Sequence, residues 1–376
     1  MRTSKPGRRI TAAATLALLL TATTTAPALA ATGHQDVQRA LDVLTAQDGV
    51  PGAQVTAHDR TGPSRSVRSG VGDVSTGLPF PEDGQFRAGS ITKSFVATVV
   101  LQLVADGQVE LDAPVERYLP GVIAGNGNDG NAITVRQLLQ HTSGLYDYLQ
   151  DFLDVDPEQL RHRGADPAEL VGIAMQHQPL FPPGAKWSYS NTNYVLAGML
   201  VERVTGHSIH AEIAARITGP LGLHDTYLPK RGDEILPTPH PRGYAPAPAG
   251  LIDFTEFDPS IGGAAGALVS TERDLNRFFA ALLEGRLLPA EQLAEMQRTV
   301  PAALGGKSAH YGLGLASVPL SCGGEFWGHG GDIIGFTTLS AATTDGRGAT
   351  AVANLNPATP EIHRDMFATI DAAICP

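Results

Sequence analysis

Cysteine is nearly absent. Only Cys322 and Cys375 occur in 376 residues. Neither Cys-x-x-Cys nor His-Glu-x-x-His spacing is present, which argues against a metal centre. Positive charge is scarce too: 27 Lys and Arg stand against 38 Asp and Glu, a formal charge of -11. So acidic a chain is a poor partner for nucleic acid or an anionic membrane surface. No apolar run reaches the roughly 20 residues that a membrane-crossing helix needs. Gly125-Asn-Gly-Asn-Asp-Gly130 matches a dinucleotide-binding pattern only by letter, because no apolar strand precedes it and its Asn and Asp read as a turn-rich loop. Gly306-Lys307-Ser308 lacks the upstream glycine of a phosphate-binding loop, with Pro301 in its place. No Gly-x-Ser-x-Gly elbow occurs, so the usual α/β-hydrolase triad is not expected.

What is present is an ordinary globular composition, 42% hydrophobic and 17% charged. The length allows one large domain or two intimate lobes. Arg2, Lys5, Arg8 and Arg9 form a basic N-terminal region, Ile10 to Ala22 a short apolar stretch, and Ala28-Leu29-Ala30 a small-x-small cleavage site. Residues 1–30 are therefore expected to be a signal peptide, and residues 31–376 a secreted, extracellular domain without a membrane anchor. Removal of those four basic residues takes the formal charge from -11 to -15. Both cysteines lie in the mature chain. Export permits a bridge between them, worth roughly 4 kcal/mol on the chain-entropy model; two buried free thiols are the alternative.

The periodicity predicts an amphipathic helix within Ala31 to Gln47 and two strands, Val50 to His58 and Ser66 to Val74, joined by a turn at Asp59 to Pro63. Ser90 to Asp106 reads as a helix that is apolar on more than one face and hence central, with Gly107 as its stop. Helices at Thr134 to His141, Pro167 to Gln176, Thr192 to Thr205, Ile209 to Ile217 and Thr271 to Glu284 fill the middle of the chain. Short strands follow at Tyr311 to Val318, Glu325 to Gly328, Gly335 to Ala341 and Thr350 to Leu355, then a closing helix from Pro360 to Ala373. The expected fold is α+β: an antiparallel sheet from N- and C-terminal strands, flanked by helices (about 31–110 and 300–376), beside a mainly helical lobe (about 111–299). A cleft between the two lobes is the expected site.

Three constellations carry chemistry. Ser90-Ile91-Thr92-Lys93 opens the central helix and places a hydroxyl and an amine on one face. Serine needs a neighbouring base to act as a nucleophile, and a desolvated lysine serves. Tyr189-Ser190-Asn191 lies where a Pro- and Gly-rich loop enters a helix. Tyr189 can relay a proton to a leaving group, and Asn191 offers a donor and an acceptor to an amide. Trp327-Gly-His-Gly-Gly-Asp332 lies between two short strands. There His329 can hydrogen-bond the catalytic network or the substrate, and Gly330 and Gly331 let backbone approach a ligand. The Asp332 N–H, opposite that of Ser90, can complete an oxyanion hole. Each motif taken alone also has a plain structural reading as a helix cap, a packed tyrosine or a strand bulge.

Together, in this order, they resemble the penicillin-recognising serine hydrolases of the class C β-lactamase and D-alanyl-D-alanine carboxypeptidase group. The chain looks most similar to the secreted actinomycete-type carboxypeptidases, which carry His-x-Gly where their relatives carry Lys-Thr-Gly. The resemblance runs from about His34 to Cys375. It is supported by Gly89 to Phe95, His141-Thr-Ser-Gly-Leu-Tyr-Asp-Tyr148, Tyr189 to Tyr194, Ala264 to Gly266 with Ser270 to Leu275, and Tyr311-Gly-Leu-Gly314. It implies Ser90 as the acylated nucleophile, Lys93 as its base, Tyr189 as proton relay, Asn191 as a substrate contact and His329 as the third-motif residue. It also implies a Cys322–Cys375 bridge, a loop-organising His141, and no metal or organic cofactor.

The function expected from the resemblance is D-alanyl-D-alanine carboxypeptidase-type cleavage of D-peptides or related amides. The expected partner is a D-peptide, a β-lactam-like small substrate or a cell-wall peptide, and the expected state is a monomer. A β-lactamase or esterase of the same fold, or a non-catalytic penicillin-binding sensor, are the alternatives. One departure bears on substrate. The carboxypeptidases grip a terminal carboxylate with third-motif hydroxyls and an arginine. Here that motif is His329-Gly330-Gly331-Asp332, and Tyr311 to Leu320 contains no Arg or Lys. Substrates without a free carboxylate, or with an amine, are expected to fit better.

Overall fold

The computed structural model describes residues 1–3, 26–60, 63–153 and 155–375. Most of the leader expected over residues 1–30 lies outside these. Eight strands make one antiparallel sheet: β1 (Gly52–His58), β2 (Arg65–Gly70), β3 (Val300–Leu304), β4 (Lys307–Tyr311), β5 (Ala316–Pro319), β6 (Glu325–Ile333), β7 (Phe336–Ala342) and β8 (Gly348–Ala353). Their order is β2-β1-β8-β7-β6-β5-β4-β3. The two ends of the chain meet where β1 pairs β8, from Ala53↔Ala353 to His58↔Gly348, as the sequence predicts.

Five helices position the site: α1 (Ala26–Ala46), α2 (Thr92–Ala105), α3 (Thr192–Thr205), α4 (Glu272–Leu283) and α5 (Pro360–Ile374). β8 shows why both sheet faces are covered. Ala349, Ala351 and Ala353 turn toward Leu41, Met366 and Ile370 of α1 and α5. The alternate residue Val352 belongs to the core on the other side, and Thr350 Oγ1 donates to Asn276 Oδ1 of α4 at 2.8 Å. A strand buried on both faces reads as a continuous small or apolar run rather than an alternation.

α2 is buried along nearly its whole length, and its Phe95 ring stacks on Phe278 of α4 with centroids 3.8 Å apart. Its three buried hydroxyls are satisfied: Thr92 donates to the Gly89 carbonyl at 2.6 Å, Ser94 to the Gly314 carbonyl at 2.6 Å and Thr98 to the Ser94 carbonyl at 2.7 Å. Cys322, in the β5–β6 turn, is joined to Cys375 just beyond α5. No described helix is long and apolar enough to cross a membrane.

Three expectations need correction. α4 was expected in the helical lobe, yet it packs on β8, β7 and β1, because Leu275, Phe278, Phe279 and Leu282 form one buried stripe. Tyr311 to Val318 is not one strand: Gly314 takes φ +70° and the Gly312 N–H bonds the Leu315 carbonyl at 2.8 Å, so the chain turns between β4 and β5. β3 was not anticipated at all. It contains Pro301, which a sheet tolerates at an edge such as this one.

Candidate active site

Ser90 lies on a 3₁₀ turn, Gly89–Ile91, that leads into α2, rather than on the helix itself as the sequence predicted. In 3₁₀ geometry side chains three apart eclipse. Lys93 therefore reaches Ser90, and its Nζ donates to Oγ at 2.9 Å. Lys93 is 0% exposed. Its other donors go to Asn191 Oδ1 at 2.8 Å and to the Ala265 carbonyl at 2.6 Å. All three acceptors are neutral, so no ion pair compensates the buried charge. Burial lowers the amine from 10.5 to about 7, with Asp147 opposing the fall.

Asn191 stands at the N-terminus of α3 but does not cap it. Its amide turns inward: Oδ1 accepts from Lys93, and Nδ2 donates to Asp147 at 3.0 and 3.3 Å. Burial pushes the Asp147 carboxyl up. The Tyr189 ring lies 4.7 Å from Lys93 Nζ. Its phenol faces the Ser90 hydroxyl. Burial drives that phenol well above 10.0, while the Ser90 contact pulls it back only in part. Near neutral pH, then, Tyr189 keeps its proton and Lys93 is the group able to accept one.

On the opposite wall, residues Trp327 to Asp332 lie inside β6, not between two strands. Pairing with β5 ends at Ala316↔Gly328, whereas pairing with β7 continues to Ile333↔Phe336. From His329 onward β6 is partnered on one side only, and it meets the Ser90 turn on the other. Two glycines permit that approach. A Cβ on Gly331 would lie 2.0 Å from the Ala88 carbonyl and 3.4 Å from Ser90 N, and one on Gly89, at φ +54°, would lie 2.8 Å from Asp332 N. The amides of Ser90 and Asp332 thus border one small space. Gly331, expected as a substrate contact, is instead packed against this turn; Gly330 does line the cavity.

His329 reaches the site, with its ring centroid 6.4 Å from that of Tyr189. Both nitrogens are engaged, Nδ1 with the Gly330 carbonyl at 2.5 Å and Nε2 with the Tyr311 hydroxyl at 2.9 Å. Burial and Lys93 lower it to about 3. His329 thus stands beside Tyr189 as a neutral ring with both nitrogens already bonded. The Asp332 carboxylate accepts from Asn356 Nδ2 at 2.9 Å and pairs with His363 Nε2 at 3.1 Å. It still borders the cavity.

That cavity, about 660 Å³, has Phe152, Leu160, Phe254, Phe257 and Ile261 among its apolar lining residues. Asp258 and Asp332 are its carboxylates, and no Lys or Arg is among its described lining residues. Sequence reasoning missed Asp147, the Ala265 carbonyl and Tyr311 as members of the site. Asp147 could have been flagged as an acid between two tyrosines; a backbone carbonyl leaves no signal. No cluster of potential metal ligands occurs among the described residues.

Fold and site together define the class: the protein is a serine hydrolase. A model of the Beta-lactamase family matches residues 37–373, and the chain belongs to that family of penicillin-recognising enzymes. It is 31% identical over 284 residues to penicillin-binding protein 4 of Amycolatopsis lactamdurans, covering 72% of this chain and 71% of that one. Among solved structures it is similar to a D-stereospecific amidohydrolase from Streptomyces sp., with 43% identity, a TM-score of 0.83, and 91% and 98% of the two chains covered. The D-amino acid amidase of Ochrobactrum anthropi SV3, complexed with L-phenylalanine amide, is similar at 31% identity and a TM-score of 0.79, again with 91% and 98% covered.

Proposed function

We propose that the enzyme is exported and hydrolyses D-amino acid amides or D-peptides through an acyl-enzyme on Ser90. The observation that carries this is the buried Lys93 amine, 2.9 Å from Ser90 Oγ and lowered to about 7. Neutral Lys93 takes the Ser90 proton as Oγ attacks the substrate carbonyl carbon. The oxyanion forms between the N–H groups of Ser90 and Asp332. The C–N bond breaks as Tyr189 gives its proton to the leaving nitrogen, and the proton on Lys93 restores the phenol. Water then attacks the acyl carbon and frees Ser90. The basic and apolar leader and the Cys322–Cys375 bridge support export.

The lining supports an amide in preference to a carboxylate-ended peptide. A free carboxylate would approach Asp332 and meet no Lys or Arg among the described lining residues, and the His363 imidazole there is already paired with Asp332, whereas a neutral amide or an ammonium meets no such penalty. The apolar lining suits a hydrophobic side chain. The likeness to a D-stereospecific amidohydrolase supports the same reading. The test compares kcat/KM for D-phenylalanine amide, its L enantiomer, and a tripeptide ending in D-Ala-D-Ala. Faster cleavage of the D-amide is expected. Faster release of D-Ala from the tripeptide, or an L preference, overturns the proposal.

A further inference from the structure

His141 is fully buried and takes no part in the chemistry above, yet it adopts φ +59°, a left-handed conformation unfavourable for a side chain of its size. Two backbone bonds repay that conformation. The Ser188 N–H donates to the His141 carbonyl at 2.9 Å, and the Ser190 N–H donates to His141 Nδ1 at 3.2 Å. These are the residues immediately before and after Tyr189. The imidazole also lies against the Tyr189 ring, with centroids 4.3 Å apart and a tilt of 32°.

The ring itself is held in one state. Asn193 Nδ2 donates to the same Nδ1 at 3.2 Å, and Ser143 Oγ donates to Asn193 Oδ1 at 2.6 Å, which fixes the direction of that amide. Nδ1 therefore accepts twice, and the proton sits on Nε2. Burial and the neighbouring Lys93 hold His141 well below 6.5, so the acceptor is not lost by protonation at working pH.

We infer that His141 is the positioning residue for Tyr189: its carbonyl and Nδ1 clamp the two peptide N–H groups that flank the phenol, and its ring backs the phenol against the Ser90 hydroxyl. The inference rests on the reading of Tyr189 as the proton donor to the leaving group. A left-handed backbone is met at least cost by Gly or Asn. Histidine adds to that backbone an acceptor one bond beyond Cγ, at the reach an asparagine Oδ1 would also have, and a ring that packs on Tyr189.

The experiment measures kcat and KM on D-phenylalanine amide and on a p-nitrophenyl ester of the same acid. Nitrophenolate leaves without protonation, so only the amide needs a well-placed Tyr189. Rates are referred to the fraction of Ser90 that a fluorophosphonate labels, so partial unfolding does not enter. His141→Gly fits the backbone but removes the acceptor. Its kcat on the amide should fall about 100-fold and on the ester less than 10-fold, with KM within about 3-fold. His141→Asn keeps both backbone and acceptor, and its amide-to-ester ratio should stay within about 3-fold of wild type. Equal losses on both substrates, no loss on either, or an Asn variant as selective as the Gly variant overturns the inference. Tyr189→Phe separates the two levels. If it shows no amide-selective loss, the proton-relay reading fails; if it does and His141→Gly does not, the clamp alone fails.

Discussion

Lys93 and Asp147 face each other through the amide of Asn191 rather than as a direct ion pair, with 2.8 Å from Nζ to Oδ1 and 3.0 Å from Nδ2 to the carboxylate. The spacer matters because a carboxylate on Nζ would hold the amine charged and end its use as a base. With the amine at about 7, kcat/KM should rise with pH through an acid limb centred near 7, since only the neutral amine accepts the Ser90 proton. Asn191→Asp places a carboxylate on Nζ and raises its pKa. The limb should move up by about one unit or more, with roughly tenfold less activity at neutral pH. A pH–rate profile that does not move shows that this limb is not the Lys93 amine.

Removal of either reacting group should be far more severe. Ser90→Ala should lose on the order of 10⁴-fold or more in kcat while keeping the fold, because the hydroxyl borders the cavity and its deletion opens no core. Lys93→Met should lose about 10² to 10⁴-fold. Fluorophosphonate labelling should vanish in the first variant and slow in the second. Equal labelling of wild type and Lys93→Met would remove the lysine from its role.

Gly331→Ala tests the approach of β6 to the Ser90 turn. The added methyl would lie 2.0 Å from the Ala88 carbonyl, a distance that forces the two backbones apart. The amides of Ser90 and Asp332 would then no longer converge on one oxygen. A misplaced oxyanion donor costs about 10² to 10³ in kcat. Steady-state kinetics with KM nearly unchanged is the expected signature. Full activity would mean that these two amides do not share an oxyanion.

What the sequence disclosed followed the range of the interactions. Ser90 and Lys93 are three apart, so their meeting is legible locally, even though the turn is 3₁₀ and not α. Tyr189, Asn191 and His329 were legible as motifs but not as a geometry. That both His329 nitrogens are occupied depends on Tyr311, eighteen residues away on β4. Gly331 shows the limit more sharply. A glycine that admits a ligand and one that admits a neighbouring backbone read alike, and only the Ala88 carbonyl decides between them. The β3–β4 hairpin escaped notice because Pro301 and Gly305-Gly306 read as loop, and its strand character comes from pairing with β5 rather than from propensity.

The Cys322–Cys375 bridge closes a 53-residue span that contains β6, β7, β8 and α5. On the chain-entropy model, its loss costs about 4 kcal/mol through the unfolded state. The Cys322→Ser/Cys375→Ser double variant should melt several degrees lower in calorimetry. Its kcat should stay within about twofold of wild type, because neither cysteine lines the cavity. A melting point unchanged from wild type would show that α5 is held by its apolar face alone.

Glu272, the first residue of α4, is 2% exposed and has one oxygen without a partner, the other accepting from Gln54 Nε2 at 2.9 Å. Burial raises it from 4.5 to about 8. The folded protein therefore keeps a proton that the unfolded chain releases above about 4.5. In that interval the native state binds more protons, so stability falls as pH rises from about 4.5 to 8, by at most about 1.4 kcal/mol per pH unit. Glu272→Gln keeps the bond from Gln54 and has nothing to titrate. It should be more stable than wild type at pH 8, about equal near pH 4.5, and flatter in Tm between the two. Parallel melting curves for the two proteins across that range would mean that Glu272 ionises freely in place, and that a counter-charge or water reaches it.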